Sequence, residues 1–218
     1  MGGGGVLLAV PSDLNPTPCL ILDIIPSESI WVKILSKGHK HYFGCYYPSP
    51  DEHYEEIQSL HKQLEQIRSI HPPQSQPSVH AMGDFNFRKI DWETHLTKEG
   101  EVFGHSEGLI LIDMARDHYV DQLITFPTRQ DKTLDIIFTN TPDLANNCHS
   151  PDKLSDHSAV ACTLNTSIPF QRKPSRKVYL FNNTYEANCK NCKNPSFSQV
   201  NLWGYWYRRR VETIQVWA

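Results

Sequence analysis

Long hydrophobic runs are missing from this chain. No apolar stretch approaches the roughly 18 residues that a membrane span requires, so the sequence predicts no transmembrane helix. Its opening, Met1-Gly2-Gly3-Gly4-Gly5-Val6, has no positive charge, and the short apolar stretch 6–10 stops at Pro11, which is not the build of a signal peptide. Val6 also stands where a myristoylation signal needs Ser or Thr. Charge of one sign is scarce: 21 Lys and Arg face 24 Asp and Glu, leaving −3 before histidine is counted. That balance excludes a histone-like basic protein and an acidic disordered tail. Cysteine is sparse too, six in 218 residues, too few and too scattered for a disulfide scaffold. Cys19, Cys45, Cys148 and Cys162 read as isolated, small buried hydrophobes. Cys189 and Cys192 form half of a zinc site whose other two ligands are not in view. Without a secretory signal, the glycosylation sequons at Asn165 and Asn182 read as chance matches. There is no internal repeat. These absences leave a soluble globular chain of a reducing, intracellular compartment, the nucleus included.

What is present is an alternation of short apolar segments with turn-forming clusters over the first 165 residues or so. Residues 6–10, 19–25, 29–35 and 41–47 read as strands bounded by Pro, Asn and Ser. The period then changes. Tyr54, Ile57, Leu60, Leu64 and Ile67 recur every three or four residues, predicting a helix. Ser49 as N-cap, Pro50 in the first turn and Glu52 closing a capping box start it, and Pro72-Pro73 ends it. Residues 79–82 are a short strand that delivers polar residues at its C-terminal end. A second helix carries Leu109, Ile112 and Ala115, and strands follow at 122–125, 134–139 and 158–164. Many short strands with two helices predict an α/β protein of mixed, largely antiparallel sheets rather than a doubly wound parallel one. The expected organisation is a domain over 1–167, a basic linker over 168–177, and an aromatic-rich tail over 178–218 to which no fold is assigned. In that tail Trp203-Gly204-Tyr205-Trp206-Tyr207-Arg208-Arg209-Arg210 has the composition that stacks on bases and holds phosphate, although a loosely packed appendage explains it as well.

Three polar clusters lie at strand ends. Gly83-Asp84-Phe85-Asn86 places a carboxylate and an amide two residues apart, on one side if the strand continues. In 133–138, Asp135 is set among Leu134, Ile136, Ile137 and Phe138, which predicts its burial. A buried carboxylate costs several kcal/mol unless partnered. Ser155-Asp156-His157-Ser158, just ahead of an apolar strand, offers His157 as the partner. A carboxylate on one imidazole nitrogen sets the tautomer and raises the ring's basicity, leaving the other nitrogen for a phosphate oxygen or a water. Asp156 is then free to hold a divalent cation, with Asp84 as base and Asn86 as orienting amide. Carboxylates with a single histidine favour Mg²⁺ or Mn²⁺ over zinc, and the set suits phosphodiester hydrolysis.

The ordered set Tyr46-Tyr47-Pro48, Gly83-Asp84-Phe85-Asn86, Leu134-Asp135-Ile136-Ile137-Phe138 and Ser155-Asp156-His157 resembles the endonuclease/exonuclease/phosphatase superfamily. Phe126-Pro127-Thr128-Arg129 followed by Thr133-Leu134-Asp135-Ile136-Ile137-Phe138-Thr139-Asn140 resembles, more narrowly, the apurinic-type endonuclease domain of non-LTR retrotransposons. The resemblance implies a four-layer α/β sandwich, two mixed, largely antiparallel sheets flanked by helices. It implies DNA as partner and Mg²⁺ or Mn²⁺ as cofactor. Asp156 would be the metal ligand, His157 would contact the scissile phosphate and Asp135 would orient it. Asp84 would align or deprotonate the attacking water, Asn86 would bind phosphate, and Tyr46 would aim its hydroxyl at the phosphate.

Members of the family begin with a strand bearing an Asn, a helix, and a strand bearing a metal-binding Glu; no residue here takes those places. The expectation is therefore a retroelement-derived, Mg²⁺-dependent endonuclease truncated at its N-terminus and weakened or inactive for that reason. The alternatives are a catalytically dead nucleic-acid-binding remnant and a phosphatase or phosphodiesterase of the same superfamily.

Overall fold

The structure, a computed structural model, describes residues 5–48, 53–88, 90–92, 96–97, 107–151, 156–166 and 213–216. Contacts divide the chain into one unit of Met1–Gln171 with Val211–Ala218 and a second of Arg172–Arg210. Every described residue belongs to the first. The expected N-cap at Ser49 with Pro50 and Glu52, the Cys189–Cys192 pair, the basic linker and the Trp203–Arg210 cluster lie outside the described residues.

In chain order the strands are β1 (Thr17–Pro18), β2 (Ser29–Ser36), β3 (His39–Tyr46), β4 (Ser78–Asp84), β5 (Ile90–Asp91), β6 (Leu96–Thr97), β7 (Asp121–Gln122), β8 (Asp135–Thr139), β9 (Ala145–His149), β10 (Val160–Leu164) and β11 (Thr213–Val216). Two helices, α1 (His53–Ser69) and α2 (Glu107–His118), fall between β3 and β4 and between β6 and β7. A six-stranded sheet runs β1-β2-β3-β4-β8-β7, and a second sheet runs β11-β10-β9. Among the described strands only β3 and β4 pair in parallel, and α1 is the crossover that a parallel pair requires. The β2–β3 hairpin turns on Lys37 and Gly38, both at positive φ (47° and 83°), the conformation of a two-residue turn that matches strand twist.

Two cores sit on opposite faces of the large sheet. Toward the helices, Trp31, Tyr42, Tyr46, Ala81, Ile136 and Phe138 meet Ile57, Leu60, Leu64 and Ile67 of α1 and Leu111, Ile112 and Met114 of α2. Toward the small sheet, Val32, Ile34, Phe43, Met82 and Ile137 meet Val160, Cys162 and Leu164 of β10. The expected mixed α/β, two-sheet architecture is present: helices, large sheet and small sheet are stacked among the described residues. α1 also docks through polar groups. Gln63, 1% exposed, accepts from the Trp31 indole at 2.8 Å and donates to the Leu22 carbonyl and to Ser27 and Ser29.

Several local expectations are corrected. Residues 6–10 form no strand, and 19–25 coil into turns in which Leu22, Asp23 and Ile25 donate backbone bonds three residues back. Cys19 and Leu22 go inward while Leu20 and Ile24 stay exposed, a three-residue spacing hidden within a continuous apolar run. Tyr54 and Leu109, expected to face inward, are 50% and 38% exposed; Leu111 and Met114 fill the core from α2 instead. The strand expected at 122–125 shrinks to β7. β9 is an unexpected strand, since Ala-Asn-Asn-Cys-His carries little strand signal. Cys148 and Cys162, expected as separate thiols, are joined in a disulfide, because the β9–β10 pairing brings their Cα atoms to 4.2 Å. Cys19 and Cys45 remain free and buried. Within the tail, 213–216 forms β11, antiparallel to β10, with Val216 opposite Val160.

Candidate active site

The chain turns sharply at the end of β4, and the reason is local. Gly83 takes φ +145°, and a Cβ there would collide with the carbonyl of Tyr46 on the adjacent strand, so the position admits only glycine. Asp84 ends the strand. The strand does not continue to Asn86, as a same-side placement would require; Asn86 sits at φ +58°, a left-handed conformation that Asn tolerates. The two side chains meet all the same, through a turn. Asp84 Oδ1 accepts the Asn86 backbone N–H at 3.0 Å, and the Asn86 amide donates to Asp84 Oδ2 at 3.2 Å. Phe85 points the other way and pins the turn into the helix-side core against Tyr46 and Phe138.

Asp135, the first residue of β8, lies directly opposite Asp84 in the antiparallel register. Both are buried. Opposed like charges destabilise a sheet pair, and His157 relieves this pair. Its Nδ1 is 2.9 Å from Asp135 Oδ2 and its Nε2 is 4.0 Å from Asp84 Oδ2. In the tautomer whose proton sits on Nδ1 the ring donates to Asp135 and presents Nε2 toward Asp84. Burial, then Asp135, push the Asp84 carboxyl above its usual range, with His157, the Asn86 N–H and Arg129 opposing.

Thr128 assembles these parts, a role that its place in the Phe126-Pro127-Thr128-Arg129 motif does not assign. It is 1% exposed. Its hydroxyl accepts the backbone N–H groups of Leu134 (2.9 Å) and Asp135 (3.0 Å), its carbonyl accepts the Ser158 N–H (2.6 Å), and its own N–H reaches the Lys132 carbonyl. One threonine therefore ties the start of β8 to the segment carrying His157. The available signal is a Pro-Thr-Arg turn seven residues ahead of an acid in an apolar strand.

The structure gathers Asp84, Asn86, Asp135 and His157. Asp156 faces outward, its side chain 65% exposed, in an ion pair of 2.6 Å with Arg129. A desolvation cost there is outweighed by the guanidinium, the backbone and His157 acting together, which hold its carboxyl below the usual range. Tyr46 is not brought to the cluster: it stacks on Phe85 and meets Trp31 edge-on. Burial raises its phenol, and the groups that act on that hydroxyl are Ser29, Trp31, Ser27 and Glu56. Ser155 lies outside the described residues. Asp84, Asp135 and His157 each present a ligand atom within 4.8 Å of the others and form the one group among the described residues with the makings of a metal site. Its donors, two carboxylates and one imidazole, suit a hard divalent cation.

A family model described as endonuclease-reverse transcriptase matches residues 41–161, a span that contains every member of this cluster. No curated protein matches the sequence. Among solved structures, the endonuclease domain of TRAS1, a telomere-specific non-LTR retrotransposon, is 18% identical with a TM-score of 0.48, over 64% of this chain and 62% of that one. Beta toxin from Staphylococcus aureus is 13% identical (TM-score 0.37, 62% of this chain and 56% of that one), and a humanized D. rerio TDP2 is 17% identical (0.38, 63% and 60%). The chain thus spans about three fifths of the length of each.

Proposed function

The chain belongs to the endonuclease-reverse transcriptase family, and from that premise we propose that it hydrolyses phosphodiester bonds in DNA as a divalent-metal-dependent endonuclease of retroelement type. The observation that carries this reading is the Asp135–His157 hydrogen bond of 2.9 Å, with Nε2 of the same ring facing Asp84 across 4.0 Å. Asp135 holds the imidazole in one tautomer and steadies positive charge on it. A scissile phosphate oxygen bound at Nε2 would lie beside the Asp84 carboxylate. Asp84, its proton affinity raised by burial and Asp135, is matched to taking a proton from the attacking water. Asn86 directs that carboxylate through the two hydrogen bonds that span its oxygens. The carboxylates of Asp84 and Asp135, two of the three ligand groups gathered here, would hold the metal, Mg²⁺ or Mn²⁺, with the His157 imidazole left to the phosphate. When bound, the metal supplies positive charge that offsets the charge developing on the phosphate.

A second reading, DNA binding without cleavage, draws on Asp156, whose carboxylate is engaged with Arg129 rather than turned toward the acidic pair. Nicking of supercoiled plasmid separates the two. The full chain should convert plasmid to open circles with Mg²⁺ or Mn²⁺ and stop in EDTA. His157→Ala and Asp84→Asn should each slow nicking by about a hundredfold to ten-thousandfold. Plasmid binding with no metal-dependent nicking would establish the second reading; nicking that survives both substitutions would overturn the first.

A further inference from the structure

Arg129 belongs to a turn of distinctive sequence, and the proposed chemistry leaves it unused. The turn is rigid: Arg129 and Lys132 exchange both backbone hydrogen bonds, at 3.0 and 2.9 Å, and the adjacent Thr128 N–H is bonded to Lys132 at 2.8 Å. Through Thr128 it is fastened to Asp135 and to Ser158, the residue after His157. The backbone that carries Arg129 is therefore held in one frame with the segment that carries His157.

The charge around that frame needs a cation. Asp84 and Asp135 lie side by side, and Asp156 adds a third carboxylate next to His157. A phosphodiester approaching His157 Nε2 would meet three acids. Among the described residues Arg129 is a cation that reaches this neighbourhood, and its partner holds it weakly, since the Asp156 side chain is 65% exposed and the Arg129 side chain 34%. Exposed ion pairs contribute little and exchange readily, whereas the fork of a guanidinium pairs a phosphate through two parallel hydrogen bonds.

We propose that Arg129 is the residue that binds the DNA phosphate at this site and that Asp156 is its displaceable counter-ion, so that the phosphate enters by taking the place of the Asp156 carboxylate. This rests on the phosphodiester reading of the Asp84–Asp135–His157 cluster. Arg129 acts in binding and Asp156 as a latch; one ion pair, to Asp156, is exchanged for another, to the phosphate, and no covalent bond changes.

The test is binding of a fluorescent 20-base-pair duplex to the full chain in EDTA, followed by anisotropy across a salt series. Arg129→Ala should weaken binding about tenfold at low salt and lower the slope of log affinity against log salt by about one. Arg129→Lys keeps the slope and loses part of the affinity. Asp156→Asn should tighten binding several-fold, and most of that gain should vanish when Arg129→Ala is also present, the signature of coupled partners. Unchanged affinity and slope in Arg129→Ala overturns the proposal. So does an Asp156→Asn gain of equal size in both backgrounds, which would be simple removal of repulsion, and so does a chain that binds no duplex. The functional reading fails separately: binding that behaves as described, with no nicking on adding Mg²⁺, removes the endonuclease and leaves Arg129 in place.

Discussion

A side chain at position 83 would strike the carbonyl of Tyr46, and the backbone there holds φ +145°. Gly83→Ala should therefore cost about 1–3 kcal/mol and turn Asp84 away from Asp135. Urea unfolding measures the first effect, and loss of nicking in protein that remains folded measures the second. In Gly-Asp-Phe-Asn the carboxylate and amide were legible as neighbours, whereas the close approach at Gly83, the anchoring by Phe85 and the left-handed turn at Asn86 were not. The Asp135–His157 couple was legible because an acid in an apolar strand must find a partner. Tyr46 was less so. Its place in the chain is right for the family motif, but the side chain of a strand residue follows the pleat, and here the pleat sends it into the helix-side core. Thr128 was hidden because a single hydroxyl serving two amides and a carbonyl serving a third leave no trace in composition or period.

At the scale of elements, α1 and the central strands followed from their periods, and the failures cluster where apolar runs are short. The run 19–25 has the letters of a strand and the hydrogen bonds of successive turns. β9 has the letters of a loop and is a strand because β10 and the Cys148–Cys162 bridge hold it there. That bridge closes the segment on which Asp156 and His157 sit. In a chain-entropy picture a loop of about 14 residues is worth roughly 3 kcal/mol. Cys148→Ser with Cys162→Ser should accordingly lower stability by about 2–4 kcal/mol. The wild type in excess dithiol should shift toward the same melting temperature, while the double variant ignores the dithiol. Differential scanning fluorimetry with and without reductant reads this directly; a wild type whose melting temperature does not respond would argue against the bridge.

For the whole molecule, acid is the expected weakness. Burial, together with His41 and His39, holds His80 at about 3; burial and His39 hold His41 at about 4; burial, His61 and Arg68 hold His118 at about 4. An unfolded histidine titrates near 6.5. Between about 4 and 6.5 the unfolded chain thus binds more protons than the folded one, and stability falls as pH falls through that window. Each such histidine contributes up to about 1.4 kcal/mol per pH unit. His41 stacks against both Phe43 and His80, with its Nδ1 unpartnered. His41→Phe should flatten the dependence, and urea midpoints at pH 7 and pH 5 that drop equally in both proteins would refute this.

The cluster also straddles a seam. Asp84 and Asp135 are mounted on the six-stranded sheet, while His157 stands three residues ahead of β10, in the other sheet, and the two sheets are joined by side-chain packing across Met82, Ile137, Val160 and Cys162. Thr128 is the stitch across that seam, its hydroxyl on the Asp135 N–H and its carbonyl on the Ser158 N–H, so the proposed chemistry depends on one threonine to keep imidazole and carboxylate together when the layers shift.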